Sequence, residues 1–185
     1  MSIGSTSAVQ ARCRPLNRSA QRGFTLFEVL VSSLILSLGL VGVAGLQALS
    51  LKNNQSAYMR SQASALAYDL ADRMRTNVTG ANSGFYDPAQ ADAFASCGTT
   101  AGCTPQEAAR NDLFEWAQAL AVNLPMGTGF VCVDSTPHDG TGVGNAQCDG
   151  LGTRHSVKVW WDDDRDGVIT VSAENTERLA INFQL

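Results

Sequence analysis

The sequence predicts an α+β protein. A long N-terminal α-helix, with a membrane half and an amphipathic half, packs on a small antiparallel β-sheet head that carries one extra helix. Three observations predict this. Between Glu28 and Lys52 lie 23 residues without a formal charge. Apolar residues then recur at helical spacing without interruption as far as residue 76. Alternating strand patterns occur only toward the C-terminus.

The charge distribution orients the apolar run. The first 27 residues hold Arg12, Arg14, Arg18 and Arg22 and no acid, whereas from Phe24 onward nine bases face seventeen acids, a net of −8. A basic start before an apolar run marks a membrane-targeted segment whose basic side stays in the cytoplasm. The acidic remainder excludes general nucleic-acid binding, which needs cations facing phosphates. The run itself, VLVSSLILSLGLVGVAGLQALSL, exceeds the roughly 20 helical residues that cross a bilayer core. It is too long for the apolar core of a secretory signal peptide. Ser32, Ser33 and Ser37 are tolerable there because serine bonds back to its own helix backbone.

Residues 52–76 contain neither Gly nor Pro, and Ala63, Leu66, Ala67, Leu70 and Met74 form one stripe. One helix is therefore expected over about 25–77, roughly 80 Å at 1.5 Å per residue. Gly39, Gly42 and Gly45 weaken its middle. Glu28 stands out, because a carboxylate at the edge of a lipid-spanning run is costly without a partner.

These residues carry a resemblance. Gly23-Phe24-Thr25-Leu26-Phe27-Glu28, after a basic leader and before a spanning run, resembles the class III signal of type IV pilins and pseudopilins. The resemblance implies cleavage by prepilin peptidase between Gly23 and Phe24 and N-methylation of Phe24. It implies that Glu28 meets the N-terminal amine of a neighbouring subunit during assembly. GLVGVAGLQ (39–47) and SALAYDLADRMRTN (64–77) resemble the minor pilins of the type IV pilus modification protein PilV type, a likeness confined to the N-terminal helix. The leader is longer than usual for that branch, so translation is expected to start downstream of Met1. Gly45 stands where major pilins often carry a helix-melting proline.

The implied organisation is a cleaved leader at 1–23, a helix at 24–77 that spans the membrane to about residue 51, and a globular head at 78–185. The implied function is that of a minor pilin that helps initiate or cap type IV pilus assembly. The implied partners are other minor pilins, the major pilin, prepilin peptidase and the inner membrane. The precursor is expected to sit in the inner membrane with a periplasmic head, and the mature chain in the pilus. A type II secretion minor pseudopilin would share the N-terminal segment, and a tip-exposed adhesin-like subunit would share the whole plan. No nucleophile–base–acid constellation suggests an enzyme.

In the head, residues 77–104 are rich in Gly, Asn, Ser and Thr and read as loop. Thr104-Pro105-Gln106-Glu107 is a capping box with Pro at the first helical position. A stripe of Ala109, Leu113, Trp116, Ala117, Leu120 and Leu124 follows, and Pro125 ends it. Strands are expected at 129–133, 156–161 and 178–185, with a short fourth at 168–171. Of the five cysteines, Cys97, Cys103, Cys132 and Cys148 lie beyond the membrane run. An even number there, no CxxC pair and only His138 and His155 as histidines favour disulfides over zinc. Four cysteines allow three pairings, and the sequence-local one, 97–103 with 132–148, is expected.

Asp162-Asp163-Asp164-Arg165-Asp166-Gly167-Val168-Ile169 resembles the first half of an EF-hand loop. Asp162, Asp164, Asp166 and the Val168 carbonyl would ligate calcium, the only cofactor suggested. The closing carboxylate should fall at Ala173, and Glu174 comes one place late. A solvated hairpin turn would use the same Asp and Gly residues for backbone reasons.

Overall fold

A computed structural model describes residues 23–171 and 177–185. The chain divides into two compact units between Leu46 and Gln47. Helix α1, Leu26–Thr76, begins in the first unit and ends in the second.

In the first unit every described residue is exposed, including Leu30, Leu34, Leu38 and Val41. An all-round apolar helix with no protein cover needs another apolar medium. By length and composition the helix is long and apolar enough to cross a membrane. Its polar groups are satisfied locally, since Ser33 and Ser37 donate to the carbonyls of Leu30 and Leu34 at 2.9 and 2.8 Å.

In the second unit α1 becomes one-sided. Met59, Ala63, Ala67, Leu70, Ala71 and Met74 are buried. Small alanines on this stripe let neighbouring elements approach closely. Against it packs α3, Pro105–Asn123, which buries Ala109, Leu113, Trp116 and Leu120. The capping box is fully formed: Glu107 N–H donates to Thr104 Oγ1 at 3.2 Å, and Thr104 N–H donates to Glu107 Oε2 at 2.8 Å. Arg73 ties the two helices at the surface, donating to Asp112 at 3.2 Å and Glu115 at 2.8 Å. Such part-exposed pairs contribute at most about 1 kcal/mol each.

The segment expected to be loop contains a short helix, α2, Val78–Asn82. The signal was a cap: Asn77 Oδ1 accepts from Gly80 N–H at 3.1 Å, while Asn77 Nδ2 donates to Pro105 O at 2.8 Å. Glycine is required at position 80, because a Cβ there would lie 2.8 Å from the Pro105 carbonyl.

Three strands follow: β1, Thr128–Val133; β2, His155–Trp160; and β3, Arg178–Phe183. They form an antiparallel sheet in the order β1-β2-β3, with Val131, Val157 and Ile181 in register. Val157, Val159 and Trp161 face the helices and are fully buried. The opposite face departs from simple alternation, because Ser156, Lys158 and Trp160 are also fully buried. The long connection 134–154 lies over this outer face. It receives hydrogen bonds from Lys158 at Asp139 and Ala146, and from Arg178 at His138 and Gly140. The fourth strand expected at 168–171 does not form; the described sheet has three strands. The N–H groups of Val168 and Thr170 are engaged by the carboxylates of Asp166 and Glu177 instead.

Cys97 is bonded to Cys103 and Cys132 to Cys148. The second bond closes the covering loop, with a sequence separation of 16. Loop closure of this length is worth about 3 kcal/mol in the chain-entropy model. Replacing both cysteines with serine should lower unfolding free energy by that amount, read by denaturant titration of the detergent-solubilised chain.

Candidate functional site

The N-terminal site is simple in geometry. Gly23 and Phe24 precede α1 and are exposed, Phe24 at 81%. An accessible, non-helical backbone of this kind is what a peptidase needs. Thr25 caps α1: its Oγ1 accepts from Glu28 N–H at 3.2 Å, and its carbonyl accepts from Val29 N–H at 3.2 Å. Glu28 therefore occupies the third helical position, which sequence reasoning missed although Thr-x-x-Glu is a capping-box pattern. A carboxylate in the first helical turn is favoured by the helix dipole as well. Glu28 is exposed, as are all its described neighbours.

The second candidate site is the acidic turn between β2 and β3. β2 delivers Asp162 directly after Trp161, and Asp162 N–H donates to Pro125 O at 2.9 Å. Asp162 is buried at 2% exposure, and its two oxygens accept from Arg165 N–H at 2.7 Å and Gly167 N–H at 2.9 Å. Asp164 accepts from Asp166 N–H at 3.3 Å, and Asp166 from Val168 N–H at 2.8 Å. Gly167 takes φ +87°, a left-handed conformation that suits glycine at the sharp bend. Successive carboxylates thus fold the backbone around themselves.

Glu177, just before β3, completes the cluster and was not expected. It is 1% exposed; Oε1 accepts from Asp163 N–H at 3.0 Å and Oε2 accepts from Thr170 N–H. One carboxylate oxygen each of Asp162, Asp164 and Glu177 lie within 4.8 Å of one another. Asp166 is not part of that cluster, and Val168 is exposed. Ala173 and Glu174, where the closing ligand was sought, lie outside the described residues. The missed signal was register: Trp160 pairs with Arg178, so the residues following β2 and preceding β3 meet at the sheet end. The donor set is all oxygen and anionic, which suits a hard divalent cation such as calcium and not a soft metal.

Comparison with known families follows the same division of the chain. The prokaryotic N-terminal methylation motif matches residues 18–44. The type IV pilin Tt1218 family matches residues 45–114, from just before the second unit to about the middle of α3. No curated protein and no solved structure matches the chain significantly.

Proposed function

Because the chain belongs to the type IV pilin family, with both its N-terminal methylation motif and a Tt1218-like pilin region, we propose that it is a PilV-type minor pilin that initiates or caps pilus assembly. The family is structural and non-enzymatic, and its members are processed by prepilin peptidase and assemble with other pilins. In this reading residues 1–23 are the leader and the cut falls between Gly23 and Phe24. Phe24 is then methylated, residues 24–77 form the anchor and stalk, and residues 78–185 form the periplasmic head. The partners are the major pilin and other minor pilins.

The observation that carries the reading is a bare apolar helix that starts beside a single carboxylate, Glu28. Such a helix is stable in lipid, and equally in a bundle of identical apolar helices. The carboxylate favours the bundle, where a neighbour's new N-terminal amine can neutralise it. Deletion of the gene is the direct test. Loss or strong reduction of surface pili is expected. Normal piliation with impaired adhesion would replace this reading with a tip adhesin, and a secretion defect with intact pili would replace it with a type II pseudopilin.

The head's acidic turn fits a structural calcium site in the same reading. Asp162 and Asp164 with Glu177 are its nearest carboxylates, Asp166 and the Val168 carbonyl its further candidates. A cation there would hold the β2 and β3 ends together by neutralising two buried carboxylates. Addition of calcium after chelation should raise Tm, by several degrees if the ion is bound about 100-fold above Kd. Asp162→Asn should abolish the response. A Tm unaffected by calcium in the unaltered chain would remove the site.

A further inference from the structure

Lys158 lies in the middle of β2 and is fully buried, an unusual place for an ammonium. Its Nζ stands 2.5 Å from Asp134 Oδ2 and 2.6 Å from Asp139 Oδ1, and it donates to Ala146 O at 2.8 Å. The side chain of Asp134 is also fully buried, while that of Asp139 is partly exposed at 32%. The amine approaches Asp134 Oδ2 at contact distance but outside hydrogen-bonding alignment, so that oxygen has no hydrogen-bond donor. The other oxygen, Oδ1, accepts from Thr136 N–H at 3.0 Å. Thr136 Oγ1 in turn donates to Asp139 Oδ2 at 2.7 Å.

A nucleophile and an electrophile, both fully buried, are thus held beside a second, partly exposed carboxylate. We propose that Lys158 and Asp134 condense to an intramolecular amide, with Asp139 relaying the protons. Proton transfer within the ion pair gives a neutral amine and a carboxylic acid. Nζ forms a bond to Cγ of Asp134, and Thr136 N–H supports the oxygen that gains charge. Asp139 takes a proton from the attacking nitrogen and returns it to the departing hydroxyl. The Cγ–O bond breaks and one water leaves. No oxidant, reductant or other reactant is needed, and Asp139 ends as it began.

Two physical effects favour the step. Fixed proximity replaces a bimolecular encounter. Condensation also removes two charges from a site where their desolvation is costly and leaves a neutral amide. Burial opposes ionisation of Asp139, but hydrogen bonds from Lys158 and Thr136 outweigh it and hold the carboxyl below its ordinary range, in the form that accepts a proton. The bond would join the segment after β1 to the middle of β2, across the same loop that Cys132–Cys148 closes. A head exposed to pulling in a filament would gain a cross-link that reduction does not open.

Mass spectrometry of the purified mature chain tests this directly. The intact mass is expected to fall one water short of that of residues 24–185 with an N-methylated Phe24, beyond the hydrogens lost at the two disulfides. After reduction, alkylation and trypsin, residues 111–154 should appear joined to residues 155–165, uncut after Lys158. Asp139→Asn should restore the water while keeping Lys158 beside Asp134, and Lys158→Arg should restore it as well. Recovery of a free 155–158 peptide in full yield from the unaltered protein overturns the proposal and leaves an ion pair only. That digest needs no variant, so misfolding of either substitution does not obscure the answer.

Discussion

Glu28→Gln is expected to fail in pilus incorporation as completely as Glu28→Ala, while both chains are still cut and methylated. The two substitutions separate the two roles the structure allows. Glu28 is the third helical residue after the Thr25 cap, and its backbone N–H donates to Thr25 Oγ1. If the side chain served only to complete that cap, Gln would serve nearly as well, since Glu and Gln both occupy this position in capping boxes. Loss of a cap is worth about 1 kcal/mol, and the helix-dipole contribution of an exposed carboxylate about 0.3–1 kcal/mol. A lone carboxylate near lipid costs up to about 2.5–3.5 kcal/mol at mid-bilayer and less toward the surface. Relief of even half of that by a neighbouring amine exceeds either local effect, and about 1.4 kcal/mol is already tenfold in occupancy. Incorporation should therefore drop about tenfold or more for both variants, by immunoblot of sheared pili against total protein. Intact mass of the membrane fraction reports cleavage at Gly23 and methylation of Phe24. Incorporation of Glu28→Gln at the unaltered level would show that the charge is dispensable.

What was legible in the sequence followed from periodicity and local capping. The apolar run, the Ala63-to-Met74 stripe and the Thr104 box each act within a few residues, and α1, α3 and the strand cores form where those signals fall. What was not legible depended on residues far apart. Lys158 reads as the polar partner in a Val-Lys-Val alternation, yet it is buried because the loop 134–154 folds over that face. Glu177 falls just outside the strand expected at 178–185 and carries no signal of its own. It meets Asp162 and Asp164 only because the antiparallel register brings the two strand ends together. The strand expected at 168–171 had the right residue types but lost its backbone donors to carboxylates. In the sequence, Asn77 looked like part of a polar loop, whereas its amide both caps α2 and holds the start of α3.

Trp116→Ala should be the most damaging single substitution in the head, lowering unfolding free energy by about 3–5 kcal/mol, as truncation of a buried aromatic does. Trp116 is 2% exposed, and its Nε1 donates across the interface to the Leu66 carbonyl of α1 at 2.9 Å. It thus joins both helices and the sheet. Its ring lies so close to β1 that a Cβ built on Gly129 would stand 2.2 Å from the indole. That contact supplies an internal control. Gly129→Ala alone should cost about 1–3 kcal/mol by overpacking against a ring that cannot withdraw. In a Trp116→Ala background the same methyl meets only Leu120 Cδ1, at 2.7 Å and at the end of a flexible side chain, so the second substitution should cost clearly less than it does alone. Sites in contact commonly couple by about 0.5–3 kcal/mol, and the sign here is fixed by geometry: the double variant is more stable than the sum of the single losses. Urea titrations of the four chains give the coupling directly. Strict additivity would mean that the indole does not rest on Gly129, and with it would go the close approach of α3 to β1 on which the packing of the head depends.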